Sequence, residues 1–480
     1  MEHTVQKSGA ATVFAVMLGT FMSSMDINVV NMALPILQNS FGAAIASIEW
    51  VAVAYLLALG ATQLTFGRLS DLFGHKKLYV SGFLLFTLSS LACSFSRSLS
   101  ILIVFRVLQA ISAAMMQSSG VPLIVASVEP KNRGKSLGMI AVSVAVATCV
   151  GPALGGMLAS RFGWSSIFLI NVPVGVAGTA FAAVVLPRDG GRKSGARFDA
   201  IGSVLIAASL FFILLPLNLL SRSAVQTAPV LGALAAGVVF LAVFIVVESK
   251  RREPLLDLSL FRSRVFAGSN FAALFYFMAE FVMVFLSPYF LQKLYGLSAM
   301  NAGLMMLPMS ACMMIAAPLG GAISDRFDSR SVGSIGLLLM AAGIVSFSLF
   351  DARTPIALLA VGMALFGFGA GLFQTPNTSA VMGSVPASAR GVASSTLGTM
   401  RNAGMVIGEA MSAALIAFNM NLREPGLMAK GLSGDALWKT SFLPAGHITC
   451  WAGAACALIA LVLSLMRGSV QPAATQEEAA

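Results

Sequence analysis

Residues 67–76 read GRLSDLFGHK and residues 321–330 read GAISDRFDSR, so Gly, Ser, Asp and Phe recur at matching places after 254 residues. The same offset, with no gap, relates Asp26 to Glu280. Further along the chain the offset drifts to 257, where Arg133 matches Arg390. Repetition over this length predicts a duplicated unit whose two halves have the same orientation.

The composition identifies the solvent of this chain as mostly lipid. Of its 480 residues 58% are apolar and only 10% are charged, and its mean hydropathy is positive. A soluble domain cannot bury so much hydrocarbon. Apolar runs of about 20 residues, each long enough to cross a bilayer as a helix, predict about fourteen transmembrane helices. We therefore expect an all-α polytopic membrane protein.

The net charge of +11 could suggest a nucleic-acid partner, but the positive charges fall mainly in the even-numbered connections between helices. By the positive-inside rule this places both termini in the cytoplasm of a multi-pass protein of the cell (inner) membrane. We expect the lipid bilayer, and no nucleic acid, as a partner. A periplasmic adaptor stays an open alternative.

The predicted helices group as six, two and six. Because the repeat relates the first helix to the ninth, the middle pair is an insertion between two six-helix bundles. The expected domains are 1–187, the first bundle; 188–264, two inserted helices with basic cytoplasmic loops; 265–467, the second bundle; and 468–480, a cytoplasmic tail. The segment from about 418 to 446 is expected to be a long exposed outer loop.

Three carboxylates, Asp26, Glu280 and Glu409, lie inside apolar runs. Each costs about 2.5–3.5 kcal/mol to place in the middle of a bilayer. One interpretation is structural, with each acid paired to an Arg or hydrogen-bonded to a neighbouring helix. The other is functional: burial favours the protonated acid, so that proton uptake and release near physiological pH can compete with a cationic substrate. Asn28 and Asn31 extend a polar stripe from Asp26.

Arg106 lies about two turns inside the fourth helix and needs a partner, for which Asp26 is nearest in height. The pair could be a static clamp, or a switch in which protonation of the acid frees the Arg. Arg401 is ambiguous in the same way, and it lies about 12 Å along its helix from Glu409.

Tyr276 and Phe281 flank Glu280, and aromatic faces beside a carboxylate suit bulky lipophilic cations, although packing is the alternative. Further candidates for lining a cavity are Asn28, Asn31, Gln109 and Arg401.

The duplicated loop joins two helices on the cytoplasmic side. Its glycines permit close backbone approach, and Asp71 can cap a helix or pair with a basic group. A gate latch and a simple short turn are the two interpretations. The residues concerned are Gly67, Asp71, Gly74, Lys76, Asp325, Arg326 and Arg330.

The fifth helix carries small residues at helical spacing and one proline. Gly151, Pro152, Gly155 and Gly156 predict tight helix packing and a bend, with or without a part in motion.

The chain has no phosphate-binding loop that would indicate transport driven by nucleotide hydrolysis. Energy must then come from a gradient, with no cofactor, and one charge crossing 100 mV supplies about 2.3 kcal/mol. Five cysteines without paired spacing suggest neither disulfides nor a metal site. Three histidines without nucleophile partners make an enzyme improbable.

Taken together, these motifs resemble the major facilitator superfamily, in particular its drug:proton antiporters with fourteen transmembrane helices. Residues 67–76 resemble its cytoplasmic loop signature, and Arg106 with Gln109 its fourth-helix motif. Residues 151–156 resemble the antiporter signature, and residues 25–35 a first-helix motif. His75, where the family usually has Arg, and Ala110, where it usually has Gly, depart from the pattern.

The resemblance implies a major facilitator fold in which two six-helix bundles rock around a central cavity. It also implies a latch role for Asp71 and a part in proton coupling for Arg106. The expected function is proton-coupled export of lipophilic, cationic drugs or toxic compounds, and so antibiotic resistance by multidrug efflux. A dedicated exporter of an endogenous metabolite or lipid is the rival, and a sensor that no longer transports is a third hypothesis.

Overall fold

The computed structural model describes residues 2–128, 133–187, 200–219, 227–250, 258–324, 327–351, 353–385 and 390–468. Every regular element in these residues is a helix, which confirms the predicted all-α class. The helices are α1 Glu2–Phe41, α2 Ile45–Ile48, α3 Trp50–Phe73, α4 His75–Ser94, α5 Leu99–Ser127, α6 Arg133–Phe162, α7 Ser166–Leu169, α8 Asn171–Val185, α9 Ala200–Leu219, α10 Thr227–Ser249, α11 Arg264–Tyr289, α12 Ala299–Met305, α13 Leu307–Ser324, α14 Ser329–Phe347, α15 Ile356–Gly383, α16 Arg390–Met428 and α17 Gly434–Met466.

Helices are the form this sequence must take, because lipid offers no hydrogen bonds to a backbone and a helix satisfies its own. Within the described residues, 12 helical segments are long and apolar enough to cross a membrane. Two shorter apolar segments are Trp50–Gln63 and Ile201–Ile213. The count of fourteen and the bounds of the four domains stay predictions.

The chain forms two compact units. The first consists of Met1–Ala208 with Ser298–Leu304, and the second of Ser209–Leu297 with Met305–Ala480. In the first unit, α1 packs against α5, α6 and α8, and α5 also contacts α3 and α4. In the second unit, α11 packs against α15, α16 and α17, while α15 lies between α13 and α14. Each unit thus surrounds the helix that carries its first buried acid.

The predicted outer loop at 418–446 is wrong in its form, because nearly all of it is helical. Helix α16 continues to Met428 and α17 begins at Gly434, so only a short turn separates them. At 39 residues α16 is about 58 Å long, well beyond the roughly 30 Å of a bilayer's apolar core. Local pairs stabilise the start of α17: Lys439 Nζ lies 2.9 Å from Asp435 Oδ2, and Trp438 stacks on Phe442.

Candidate functional site

The first unit holds a buried ion pair between α1 and α5. Asp26 and Arg106 are each only 1% exposed, and Arg106 Nη1 donates to Asp26 Oδ2. The structure therefore brings together Asp26 and Arg106, the two residues that the sequence predicted to lie at a similar depth in the membrane. A buried carboxylate and a buried guanidinium that cancel each other's charge avoid the cost of burying either one alone.

Further donors complete the coordination of Asp26. Its Oδ1 accepts from Gln109 Nε2 at 3.0 Å and from Asn171 Nδ2 at 2.9 Å. Gln109 Nε2 also donates to Ser90 Oγ at 2.7 Å, and Gln109 Oε1 accepts from Arg106 Nη1 at 2.7 Å. Hydrogen bonds to the charged form of a carboxyl stabilise that form. We call Asp26, Arg106, Gln109, Asn171 and Ser90 the Asp26 network.

The Arg106 guanidinium is enclosed on its other sides. Its Nε donates to the Val51 backbone oxygen at 2.9 Å, and its Cζ lies 4.1 Å from the centre of the Tyr55 ring. The Phe168 ring centre is 5.8 Å away. The ring of Tyr55 adds a cation–π contact to the ion pair, and both rings exclude water from it.

Asn171, Tyr55 and Ser90 were not predicted as site residues. A signal for Asn171 is present, since it is a polar side chain within the apolar run of 165–186, as Asp26 is within its own. Ser90 and Tyr55 carry no such signal, because Ser and Tyr are common in membrane helices. Their contacts with the Asp26 network are decided only by the packing of α3, α4 and α5.

Asn28 and Asn31 lie apart from this network. Asn28 Nδ2 donates to the Ser24 backbone oxygen at 2.8 Å in its own helix. Asn31 is 1% exposed, and neither of its side-chain polar atoms has a hydrogen-bond partner among the described residues. Asn31 thus keeps a full set of unused donors and acceptors inside the first unit.

The glycine motif of α6 serves close packing. A Cβ at Gly151 would lie 2.6 Å from Asn28 Cβ, and one at Gly155 would lie 2.9 Å from Val29 Cα. At Gly156 it would lie 2.0 Å from the Ala299 backbone oxygen, and a Cβ at Gly303 would lie 2.3 Å from the Pro152 backbone oxygen. The motif therefore lets α6 contact α1 on one side and α12 on another at backbone distance. A part in motion stays a prediction.

In the second unit, Glu280 of α11 interacts electrostatically with two buried groups. They are the Arg401 guanidinium on α16 and the Tyr276 hydroxyl on α11. No described residue forms a hydrogen bond with Glu280 Oε2, Arg401 Nε or the Tyr276 hydroxyl. Buried polar atoms are nearly always paired, so three unpaired ones together indicate a site.

Apolar rings and backbone enclose this group. The Tyr276 ring lies 4.8 Å from that of Phe277 and 4.9 Å from that of Phe373, and Phe281 is 5% exposed. Glu409, also on α16, is fully buried, and its neighbour Gly408 packs against the Met278 backbone.

The two units differ where the repeat would make them alike. Asp26 corresponds to Glu280, but offsets between 254 and 257 map Arg106 to residues 360–363, which read AVGM and carry no charge. The second unit therefore lacks the arginine that neutralises the first acid, and Arg401 comes to Glu280 from a different helix, α16.

The described part of the duplicated loop caps helices. Lys76 Nζ donates to the Leu186 backbone oxygen at 2.6 Å, and Arg330 Nη1 donates to that of Leu465 at 3.3 Å. Lys76 thus lies at the C-terminal end of α8 and Arg330 at that of α17, where the helix dipole favours positive charge. Asp325, Arg326 and the side chain of Asp71 lie outside the described residues, and the latch stays a prediction.

The two predicted loop glycines play different parts. Gly74 has φ +103°, which favours glycine, at the junction of α3 and α4. No described atom lies within 4 Å of a Cβ built on Gly67. Close approach, which the sequence suggested for both, is therefore not seen at Gly67.

A buried arginine that the sequence did not single out follows α17. Arg467 is 1% exposed and donates to Ser269 Oγ at 3.1 Å, to Asn377 Oδ1 at 2.8 Å and to Ser329 Oγ at 3.4 Å. These partners lie on α11, α15 and α14. Arg467 therefore links four helices at one end of the second unit.

Within the described residues no group of three His, Cys, Asp or Glu side chains is placed to hold a metal ion. All five cysteines are free thiols.

Comparison with known proteins accounts for this architecture. The family model described as the Major Facilitator Superfamily matches residues 16–409. The riboflavin transporter RibZ of Clostridioides difficile is 31% identical over 85% of this chain and 88% of its own. The multidrug resistance protein Stp of Mycobacterium tuberculosis is 32% identical over 85% and 75%. A crystal structure of a bacterial homolog of the human lysosomal transporter Spinster, inward-facing and occupied, superposes with a TM-score of 0.67 at 16% identity over 95% and 96% of the two chains.

Proposed function

Because the chain belongs to the major facilitator superfamily, and is a multi-pass membrane transporter rather than an enzyme, we propose that it exports lipophilic, cationic compounds in exchange for protons. Supporting this are relatives such as Stp, named for multidrug resistance. The proposal places the protein in the cell membrane, with both termini cytoplasmic and alternating access driven by the proton gradient. The fourteen-helix drug:proton branch belongs to the same proposal.

The observation that carries the proposal is the set of buried acids. Asp26, Glu280 and Glu409 are each at most 8% exposed, in helices apolar enough to cross a membrane. Acids in such places are costly, and they commonly mark proton or ion pathways. A cation that competes for the same carboxylates exchanges with protons by simple charge balance.

The test is substrate-driven proton movement in proteoliposomes with an acidic lumen. Ethidium is the cationic probe, and protein-free liposomes give its passive leak. We expect ethidium uptake with a rise of lumen pH for the wild type, and a loss of that rise in at least one of Asp26→Asn, Glu280→Gln and Glu409→Gln at matched protein incorporation. Glu248→Gln is the matched control, since Glu248 is a buried glutamate, 2% exposed, on the inserted helix α10.

Ethidium uptake without a change of lumen pH would contradict proton coupling. If all three acid variants behave like the control, the acids are structural and the proposal fails in its central part.

A second candidate is a dedicated exporter of one endogenous metabolite. It is favoured by the relative named a riboflavin transporter. The same liposome assay separates the two candidates when riboflavin is tested beside a panel of cationic and neutral compounds. Transport of a single compound favours the dedicated exporter. Transport of many compounds favours the multidrug exporter.

A further inference from the structure

Asp26 and Glu280, which the repeat places in corresponding positions, differ in the hydrogen bonds that their carboxyl oxygens accept. Both oxygens of Asp26 are occupied, Oδ2 by Arg106 and Oδ1 by Gln109 and Asn171. Glu280 Oε2 has no hydrogen-bond partner in the described part of the chain. The first carboxylate thus faces three donors, whereas one oxygen of the second faces none.

Protonation would have different consequences at the two places. A proton on Asp26 would remove the counter-ion of Arg106, which is 1% exposed and is Asp26's partner in the buried pair. It would also place a hydroxyl on a carboxyl group whose oxygens already face three donors. A guanidinium left buried and unpaired is strongly unfavourable. Asp26 is therefore the group that keeps Arg106 paired.

A proton on Glu280 meets no such obstacle. On α11 its neighbour one turn away is Tyr276, and from α16 Arg401 is the charged group that acts on it. Helix α16 also carries the buried acid Glu409, whose neighbour Gly408 packs against the Met278 backbone of α11. Helix α15 carries no titratable side chain. Helix α17 brings Gly453 against Val282, with the thiols of Cys450 and Cys456 on either side in sequence. No described donor therefore occupies Glu280 Oε2, and a proton can be added there without displacing a hydrogen bond.

We infer that Glu280 is the residue that carries the proton through the transport cycle, and that Asp26 is a positioning residue that holds Arg106. An O–H bond forms on Glu280 with a proton taken from water on the outer side, and the same bond breaks to return the proton to water on the cytoplasmic side. No oxidation or reduction is involved. The physiological meaning of this step rests on the proposed proton-coupled export.

The test uses infrared difference spectra of the purified full-length protein, recorded between acidic and alkaline pH without substrate. A carboxylic acid that gains a proton in an apolar site gives a carbonyl band distinct from that of a carboxylate. We expect this band in the wild type, its loss in Glu280→Gln, and its retention in Asp26→Asn and in the control Glu248→Gln. Since no transport is measured, this experiment can fail or succeed independently of the proteoliposome assay.

Asp26→Asn alters a buried ion pair and can fail to fold, so Asn171→Ala provides a second comparison. It removes one donor from Asp26 and leaves Arg106 and Gln109 in place. If the band arises from Glu280, it is the same in Asn171→Ala as in the wild type. A band that persists in Glu280→Gln, or that changes position in Asn171→Ala, would overturn the inference and assign the proton to another acid.

Discussion

Asp26 and Glu280 show how far the surroundings of a side chain decide its chemistry. The two acids occupy corresponding places in a duplicated chain, yet one has three hydrogen-bond donors and the other has an oxygen with none. Arg106 accounts for the difference, because its own helix brings it to Asp26, whereas the matching helix of the second unit has no cation there. One arginine, present in α5 and without a counterpart at the matching place in the second unit, thus separates the surroundings of the two acids.

The coupling within the Asp26–Arg106 pair can be measured by a double-mutant cycle. We expect Arg106→Gln to destabilise the protein by about 3–5 kcal/mol, because it leaves a buried charge unpaired. Asp26→Asn/Arg106→Gln should be more stable than Arg106→Gln alone, since it buries no charge. The measurement is the thermal unfolding midpoint in detergent.

The exposed pair Asp435–Lys439 provides the control for this cycle. Its nitrogen–oxygen distance is 2.9 Å, but Asp435 is 72% exposed, so its loss should cost only about 0.3–0.5 kcal/mol. If the double variant is no more stable than Arg106→Gln, the two charges do not compensate each other.

Glycines bring helices of the second unit into close backbone contact. A Cβ at Gly367 would lie 1.9 Å from the Met309 backbone oxygen, and one at Gly369 would lie 2.3 Å from the Met340 nitrogen. Helix α15 thus contacts α13 through one glycine and α14 through the other. In the first unit the corresponding inner helix, α5, instead carries Arg106 and Gln109.

Gly367→Ala tests whether this close packing limits stability. The added methyl group would collide with the backbone of α13, which cannot move aside as a flexible side chain can. We expect a loss of about 1–3 kcal/mol, the usual cost of overpacking, seen as a lower unfolding midpoint. The control is Gly232→Ala in α10, where no described atom lies within 4 Å of the new Cβ and alanine favours the helix. Equal midpoints for the two variants would show that α13 and α15 can separate without cost.

The limits of sequence reasoning follow from the distance between contacting residues. Hydropathy predicted the helices, and the matching depth of Asp26 and Arg106 in their helices predicted that pair, because each is read from the position of a residue within its own apolar segment. The partners of Arg467 lie 90, 138 and 198 residues away, and which faces meet is decided only by packing. The prediction of a loop near residue 430 was wrong because a polar composition is equally typical of a loop and of a helix extending into water.

The orientation of the whole chain rests on the uneven distribution of its basic residues, and it can be tested by cysteine labelling. Arg264 begins α11 and Lys430 lies in the turn after α16, and both are exposed. The positive-inside rule assigns Arg264 to the cytoplasm and Lys430 to the outside.

In a background with Cys149 and Cys312 changed to alanine, a membrane-impermeant maleimide should label Lys430→Cys in intact cells and Arg264→Cys only after lysis. Arg353→Cys, in the turn between α14 and α15, should behave like Lys430→Cys, because an even number of crossings separates them. Labelling of Arg264→Cys in intact cells would reverse the orientation, and with it the direction in which the proposed exporter moves its substrate.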